Sequence, residues 1–123
     1  MTDKIVSKGL YNDPGIPNFV SAKQYMVLRK GKRNQLIFRF ENPKNEILTA
    51  ISFTVDCLDI HKNVIKTEKI EHSALKVCGL SYFVVNRPVT LPMGCADFKV
   101  TIDSVCYGDY RYITHGNEVE IVY

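Results

Sequence analysis

Residues 35–60, QLIFRFENPKNEILTAISFTVDCLDI, contain two runs in which apolar and polar side chains alternate. Gln35–Asn42 is the first run and Ile47–Ile60 the second, with a turn-forming Asn-Pro pair between them. The apolar members are Leu36, Phe38, Phe40, Ile51, Phe53, Val55 and Cys57. Because successive side chains of a strand point to opposite faces, this spacing predicts two strands, each with one buried face.

The rest of the chain continues the same pattern. Ala96–Ser104 alternates as clearly and predicts a third strand of this kind. Weaker runs predict strands at Gln24–Arg29, Val64–Ile70, Tyr82–Leu91, and either Arg111–Ile113 or Glu118–Tyr123. Pro88 lacks a backbone donor, so its strand is expected at a sheet edge or with a bulge. Seven to eight strands without helices predict an all-β, immunoglobulin-like antiparallel β-sandwich, with a small barrel as the alternative.

Length and composition predict one domain. A chain of 123 residues is long enough for a single core without metal or disulfide staples. We expect that domain over residues 21–123. Residues 1–20 contain Asn12-Asp13-Pro14-Gly15, a strong turn signal, and are expected to form an irregular leader along the sandwich or a mobile arm.

Charge and cysteine spacing exclude several classes of protein. A net charge of +3, from 16 basic and 13 acidic residues, is too small to predict nucleic-acid binding. No apolar run reaches the roughly 18 residues of a membrane span, and the first residues lack a secretory apolar segment. Four cysteines without C-x-x-C spacing predict reduced thiols, with no metal and no cofactor. Together these features predict a soluble, cytoplasmic protein.

Part of the chain resembles small immunoglobulin-like modules found in uncharacterised proteins of Gram-positive bacteria. The residues that carry the resemblance are Leu36–Pro43, Ile51–Asp59, the turn Lys62-Asn63, Leu91–Gly94 and Phe98–Ile102. They cover a little under half of the chain. The resemblance implies a β-sandwich with a non-catalytic accessory or binding role, and it brings no catalytic residues.

The most suggestive surface signal is a tyrosine-rich turn. Tyr107, Tyr110, Arg111 and Tyr112 surround Gly108-Asp109. Aromatic and guanidinium groups are favoured at contact sites, so these four residues are the predicted binding site. The alternative is that Tyr107 and one other tyrosine pack against the end of the sandwich.

These observations predict a protein-interaction module that binds a partner through its loops or an edge strand. The C-terminal run Val119–Tyr123 is a candidate edge strand, and its pairing with a second copy would form a homodimer. One alternative is a carbohydrate- or small-ligand-binding sandwich, which would need a concave patch of exposed aromatic side chains. Another is a small hydrolase using a cysteine such as Cys57, with His61 nearby in sequence, or paired carboxylates.

Overall fold

The computed structural model describes residues 4–11, 16–116 and 118–122, and this part of the chain contains nine β-strands. In chain order the strands are β1 Lys4–Leu10, β2 Ser21–Lys30, β3 Arg33–Asn42, β4 Leu48–Leu58, β5 Val64–His72, β6 Ser81–Val89, β7 Asp97–Tyr107, β8 Tyr110–His115 and β9 Glu118–Val122. The described residues form no helix.

The strands form two sheets that pack face to face. One sheet has four strands in the order β1-β2-β3-β6, and the other has five in the order β5-β4-β7-β8-β9. Every paired neighbour is antiparallel. The predicted all-β sandwich is therefore confirmed, with nine strands where seven to eight were expected.

The core lies between the inner faces of the two sheets. Phe53 of β4 meets two rings of β3, with centroids 5.5 Å from Phe38 and 5.0 Å from Phe40. Phe83 of β6 stacks on Phe40 at 5.3 Å. The alternating residues of 35–60 are thus the centre of the core, as their spacing predicts.

The weaker strand predictions also correspond to strands. Both candidates near the C-terminus form strands, as β8 and β9. Pro88 lies on β6, at the edge of the four-stranded sheet. An edge strand has only one neighbour, so a missing backbone donor is tolerated there.

The expected irregular leader is wrong for Lys4–Leu10, which forms β1 and pairs with β2. Beyond the strand, Tyr11 still donates its backbone N–H to the Lys23 carbonyl at 3.0 Å, and Phe19 and Val20 are buried in the core. Alternation does not reveal β1, because most of its side chains are exposed and few reach the core. The turn Asn12–Gly15 lies outside the described residues.

Candidate interaction surfaces

The tyrosine-rich turn is the tip of the β7–β8 hairpin. Tyr107 and Tyr110 are paired across it, and Gly108 has φ +58°, a left-handed conformation that favours glycine. Adjacent strand residues point to opposite faces, so Arg111 lies on the outer face of the sheet. Tyr110 and Tyr112 are on the opposite face, so the four predicted residues do not form one surface.

Two of the four tyrosine-turn residues are packed against the sandwich. Tyr107 is buried, and its hydroxyl donates to Asn42 Oδ1 at 2.7 Å. Burial raises the pKa of this phenol well above its usual range. The half-buried Tyr112 ring packs edge-on against Tyr107 at 5.6 Å, and Lys44 Nζ lies 5.0 Å from its centroid. This is the arrangement expected of the packing alternative.

The other two residues, Tyr110 and Arg111, are exposed. Tyr110 keeps 46% of its surface accessible at the hairpin tip. Arg111 is paired with Val122 of β9, on the opposite face from Tyr110. A binding role for these two side chains stays a prediction.

The C-terminal strand β9 forms one edge of the five-stranded sheet, as the edge-strand hypothesis requires. It is short, with only five residues, and its Glu120 carboxylate lies 2.8 Å from His115 Nε2 of β8. Val119 packs towards the core. Pairing of β9 with a second chain stays a prediction.

A larger surface lies on the outer face of the four-stranded sheet. Apolar side chains there run diagonally across all four strands, and we call them the apolar stripe: Ile5, Leu28, Met26, Ile37, Val84 and Tyr82. The strand register makes them neighbours, since Ile5 lies opposite Leu28 and Met26 lies opposite Ile37.

The ends of the apolar stripe are well exposed. Val84 is 63%, Tyr82 55% and Ile5 52% accessible. Met26, Leu28 and Ile37 are half-buried. At the Tyr82 end, the Arg39 guanidinium lies 4.3 Å above the tyrosine ring. A contiguous exposed apolar area of this kind is typical of an interaction site.

The outer face of the five-stranded sheet is different, because it is polar across β5, β4 and β7. Thr54 donates to Asp103 Oδ2 at 2.7 Å, and Thr67 donates to Asp56 Oδ1 at 2.8 Å. Lys99 and Thr101 are exposed on the same face. Apolar side chains occur on this face at its β8–β9 side, where Ile113 is half-buried and Val122, paired with Arg111, is 39% accessible.

Consecutive apolar residues are the sequence signal for this surface. Three strands of the four-stranded sheet hold consecutive apolar residues: Tyr25–Leu28, Leu36–Phe38 and Phe83–Val85. Continuous apolar runs are typical of strands that are covered on both faces. In the structure the second face is open to solvent.

A cleft of about 560 Å³ opens between the start of β2 and the middle of β7. Its lining combines Val100 and Ile102 with the polar Lys99 and Asp103. Two aromatic side chains line it, but Phe19 is buried and the Tyr11 hydroxyl donates to the Phe98 carbonyl at 2.8 Å. The lining lacks the exposed aromatic patch that carbohydrate binding would need, and that alternative stays a prediction.

The cysteines do not form a catalytic arrangement around Cys57. All four are free thiols, and Cys57 is buried in the core. Burial raises its pKa to about 11, with a smaller contribution from Cys95. His61 lies in an exposed turn, where its backbone N–H donates to Asp59 Oδ1 at 2.8 Å. Within residues 4–11, 16–116 and 118–122, no His, Cys, Asp and Glu side chains cluster as metal ligands.

We expect Cys57 to react with iodoacetamide at least about 100-fold more slowly than the exposed Cys78, because the thiolate is the nucleophile. At about pH 8, a thiol with this pKa is ionised in only about one molecule in a thousand. The measurement is peptide-resolved mass spectrometry over a labelling time course of the folded protein. Labelling of both cysteines at equal rates after unfolding in urea is the control. Equal rates in the folded protein would contradict the prediction and revive Cys57 as a nucleophile.

Comparison of the chain with family models, curated proteins and solved structures found no match. No helix that could cross a membrane occurs among the described residues.

Proposed function

We propose that this protein is a non-catalytic protein-interaction module that associates with a second copy of itself through the outer face of its four-stranded sheet. The observation that carries this proposal is the apolar stripe. It crosses all four strands on a face that alternation would make polar, whereas the central strands of the other sheet carry polar side chains on their outer face.

The area of this face suits a dimer. Strands lie about 4.8 Å apart and rise about 3.4 Å per residue, so four strands of up to ten residues form a face of about 20 by 30 Å. Two such faces in contact would bury on the order of 1,200 Å², the lower end of the range for specific interfaces. The expected complex is therefore a dimer of moderate affinity.

The geometry of such a contact is already present within one molecule. Sheets pack face to face about 10 Å apart when their facing side chains are apolar and interdigitate. A second copy would add another layer with the same packing. Association through the face needs no free sheet edge, so it differs from the edge pairing predicted for β9.

The strand connections support the immunoglobulin-like interpretation. The chain crosses between sheets from β3 to β4, from β5 to β6 and again from β6 to β7. Greek-key crossovers of this kind connect the strands of immunoglobulin-like sandwiches, which commonly act as binding modules. The proposed role is consistent with that architecture.

The test is the double variant Ile37→Lys/Val84→Lys. Lysines at these positions would be desolvated against the second copy without a counter-charge, so we expect self-association to weaken at least about 100-fold. Light scattering behind size exclusion, from about 5 to about 500 µM, should show concentration-dependent dimers for the wild type only.

The matched control is Thr67→Lys/Thr101→Lys, which adds the same charge to the polar outer face of the other sheet. It should dimerise like the wild type. A wild type that stays monomeric over the whole range would overturn the proposal, as would equal weakening by both double variants. A chain ending at Asn117 removes β9, and loss of the dimer in that chain alone would favour the edge pairing instead. Urea unfolding of every variant checks that the fold is retained.

A further inference from the structure

The charges around the apolar stripe are distributed unevenly along β3. Its outward-facing residues, in order, are Arg33, Gln35, Ile37, Arg39 and Glu41, since Leu36, Phe38 and Phe40 point into the core. One end of this row is therefore positive, whereas the other holds the carboxylate of Glu41 next to Arg39, with Lys23 Nζ 3.9 Å away. Ile37 lies at its centre, opposite Met26 on β2.

We propose that the two copies in the dimer are related by a two-fold axis that lies between the sheets, perpendicular to the strands, and passes through the row of Met26 and Ile37. This inference rests on the proposed function. The rotation reverses the strand direction of the second copy and brings Arg33 of each copy against Glu41 of the other. Each dimer therefore contains this ion pair twice.

The competing two-fold axis runs parallel to the strands and is unfavourable. It would place the basic end of each sheet against its own copy. That end holds Lys30, Lys32 and Arg33 at the β2–β3 hairpin, together with Arg29. Like charges that face each other across an interface are unfavourable. The proposed axis brings one such pair together, Lys8 of β1 with its own copy, because Lys8 lies opposite Met26. The competing axis brings together the whole basic end, so it is the less favourable of the two.

The apolar residues also match under the proposed rotation. Residues that are paired across the sheet form rows perpendicular to the strands. The row that contains Ile5 and Pro88 and the row that contains Leu10 and Val84 flank the Met26–Ile37 row on opposite sides, so the rotation places each of them against the other. Ile5 then meets Leu10 of the second copy, and Pro88 meets Val84 of the second copy. The axis thus matches apolar residues on the two edge strands, while on the central strands of the same rows Leu28 meets Gln24 and Gln35 meets Arg39 of the second copy.

Both members of the proposed ion pair are accessible in the single chain. Arg33 is exposed at the start of β3. The Glu41 side chain keeps 33% of its surface accessible, and its contact with Lys23 is long, at 3.9 Å. A bidentate contact from an arginine of a second copy would be the stronger interaction for this carboxylate.

The test uses the single variants Arg33→Glu and Glu41→Arg, alone and mixed. Each variant alone would place two like-charged contacts in its dimer, so we expect at least about tenfold weaker self-association. In a mixture of the two variants every substituted position faces an opposite charge. We expect a mixed dimer that forms within about threefold of the wild-type affinity, measured by native mass spectrometry with one variant isotopically labelled.

The matched controls are Lys99→Glu and Glu71→Arg, which make the same charge changes on the other sheet. These variants should dimerise like the wild type, both alone and when mixed. Suppose that Ile37→Lys/Val84→Lys disrupts the wild-type dimer but that the two charge variants show no preference for the mixed dimer. This result would overturn the proposed axis and leave the proposed function standing. Loss of the stripe effect itself would overturn both.

Discussion

Replacement of Asn42 by alanine is expected to lower the free energy of unfolding by about 3 kcal/mol, since it leaves several buried polar groups without partners. The Asn42 side chain is fully buried at the end of β3. Its Oδ1 accepts hydrogen bonds from the Tyr107 hydroxyl at 2.7 Å and from the Lys44 backbone N–H at 3.3 Å. Its Nδ2 donates to the carbonyls of Glu46 at 3.0 Å and Cys78 at 3.3 Å.

Urea unfolding followed by circular dichroism measures this change. The matched control is Asn45→Ala in the same turn, where the side chain is exposed and the change should stay within about 0.5 kcal/mol. Tyr107→Phe removes one hydrogen bond and should cost about 1 kcal/mol. A loss below about 1 kcal/mol for Asn42→Ala would mean that water replaces these partners.

Phe53→Ala is expected to cost about 3 to 5 kcal/mol of stability, the range measured for buried phenylalanines. Phe53 is fully buried on the central strand β4, and its ring contacts Phe38 and Phe40 of the opposite sheet. The substitution would leave a cavity where the two sheets meet. This is a large part of the 5 to 15 kcal/mol that typically stabilises a domain.

The same unfolding measurement, with Tyr82→Ala as control, tests this prediction. Tyr82 is an aromatic residue of the apolar stripe, and 55% of its surface is accessible. Its truncation should cost about 1 kcal/mol or less in the monomer. Equal losses for the two variants would contradict the assignment of Phe53 to the centre of the core. At concentrations where the protein dimerises, any additional loss for Tyr82→Ala would come from the interface.

Variants of the core and variants of the apolar stripe should affect different quantities, namely the stability of the monomer and the affinity of the dimer. Asn42 and Phe53 act within one molecule, so their effects should not depend on protein concentration. Ile37 and Val84 lie on the open face, so their effects should appear in the dimer. Comparing dilute and concentrated samples of each variant therefore distinguishes residues that hold the fold from residues that hold the complex.

The sequence by itself determined the strands from β2 onward and the inner faces of the central ones. Leu36, Phe38 and Phe40 repeat every second residue, as do Ile51, Phe53 and Val55. That spacing is a local property, because one side of a strand must be apolar to be buried. The turn at Gly108-Asp109 is likewise visible in the sequence, and it connects β7 and β8 in the structure.

Other features depended on contacts between residues far apart in the chain. The strand β1 forms because its backbone pairs with β2, and its side chains give little sign of this. Tyr107 is a core residue whose hydroxyl donates a hydrogen bond to Asn42 Oδ1, 65 positions away in the chain. A tyrosine next to a turn has the same local sequence whether its ring is packed or exposed, so only the fold separates Tyr107 from Tyr110.

The apolar stripe depends on both the local sequence and the tertiary structure. The run Tyr25–Leu28 indicates that both faces of β2 are apolar, but it does not indicate which face is covered within the molecule. The tertiary structure decided this by packing a second sheet against one face and leaving the other open. The physical reason is that burial depends on which sheets meet in space, whereas the sequence records only the periodicity of each strand.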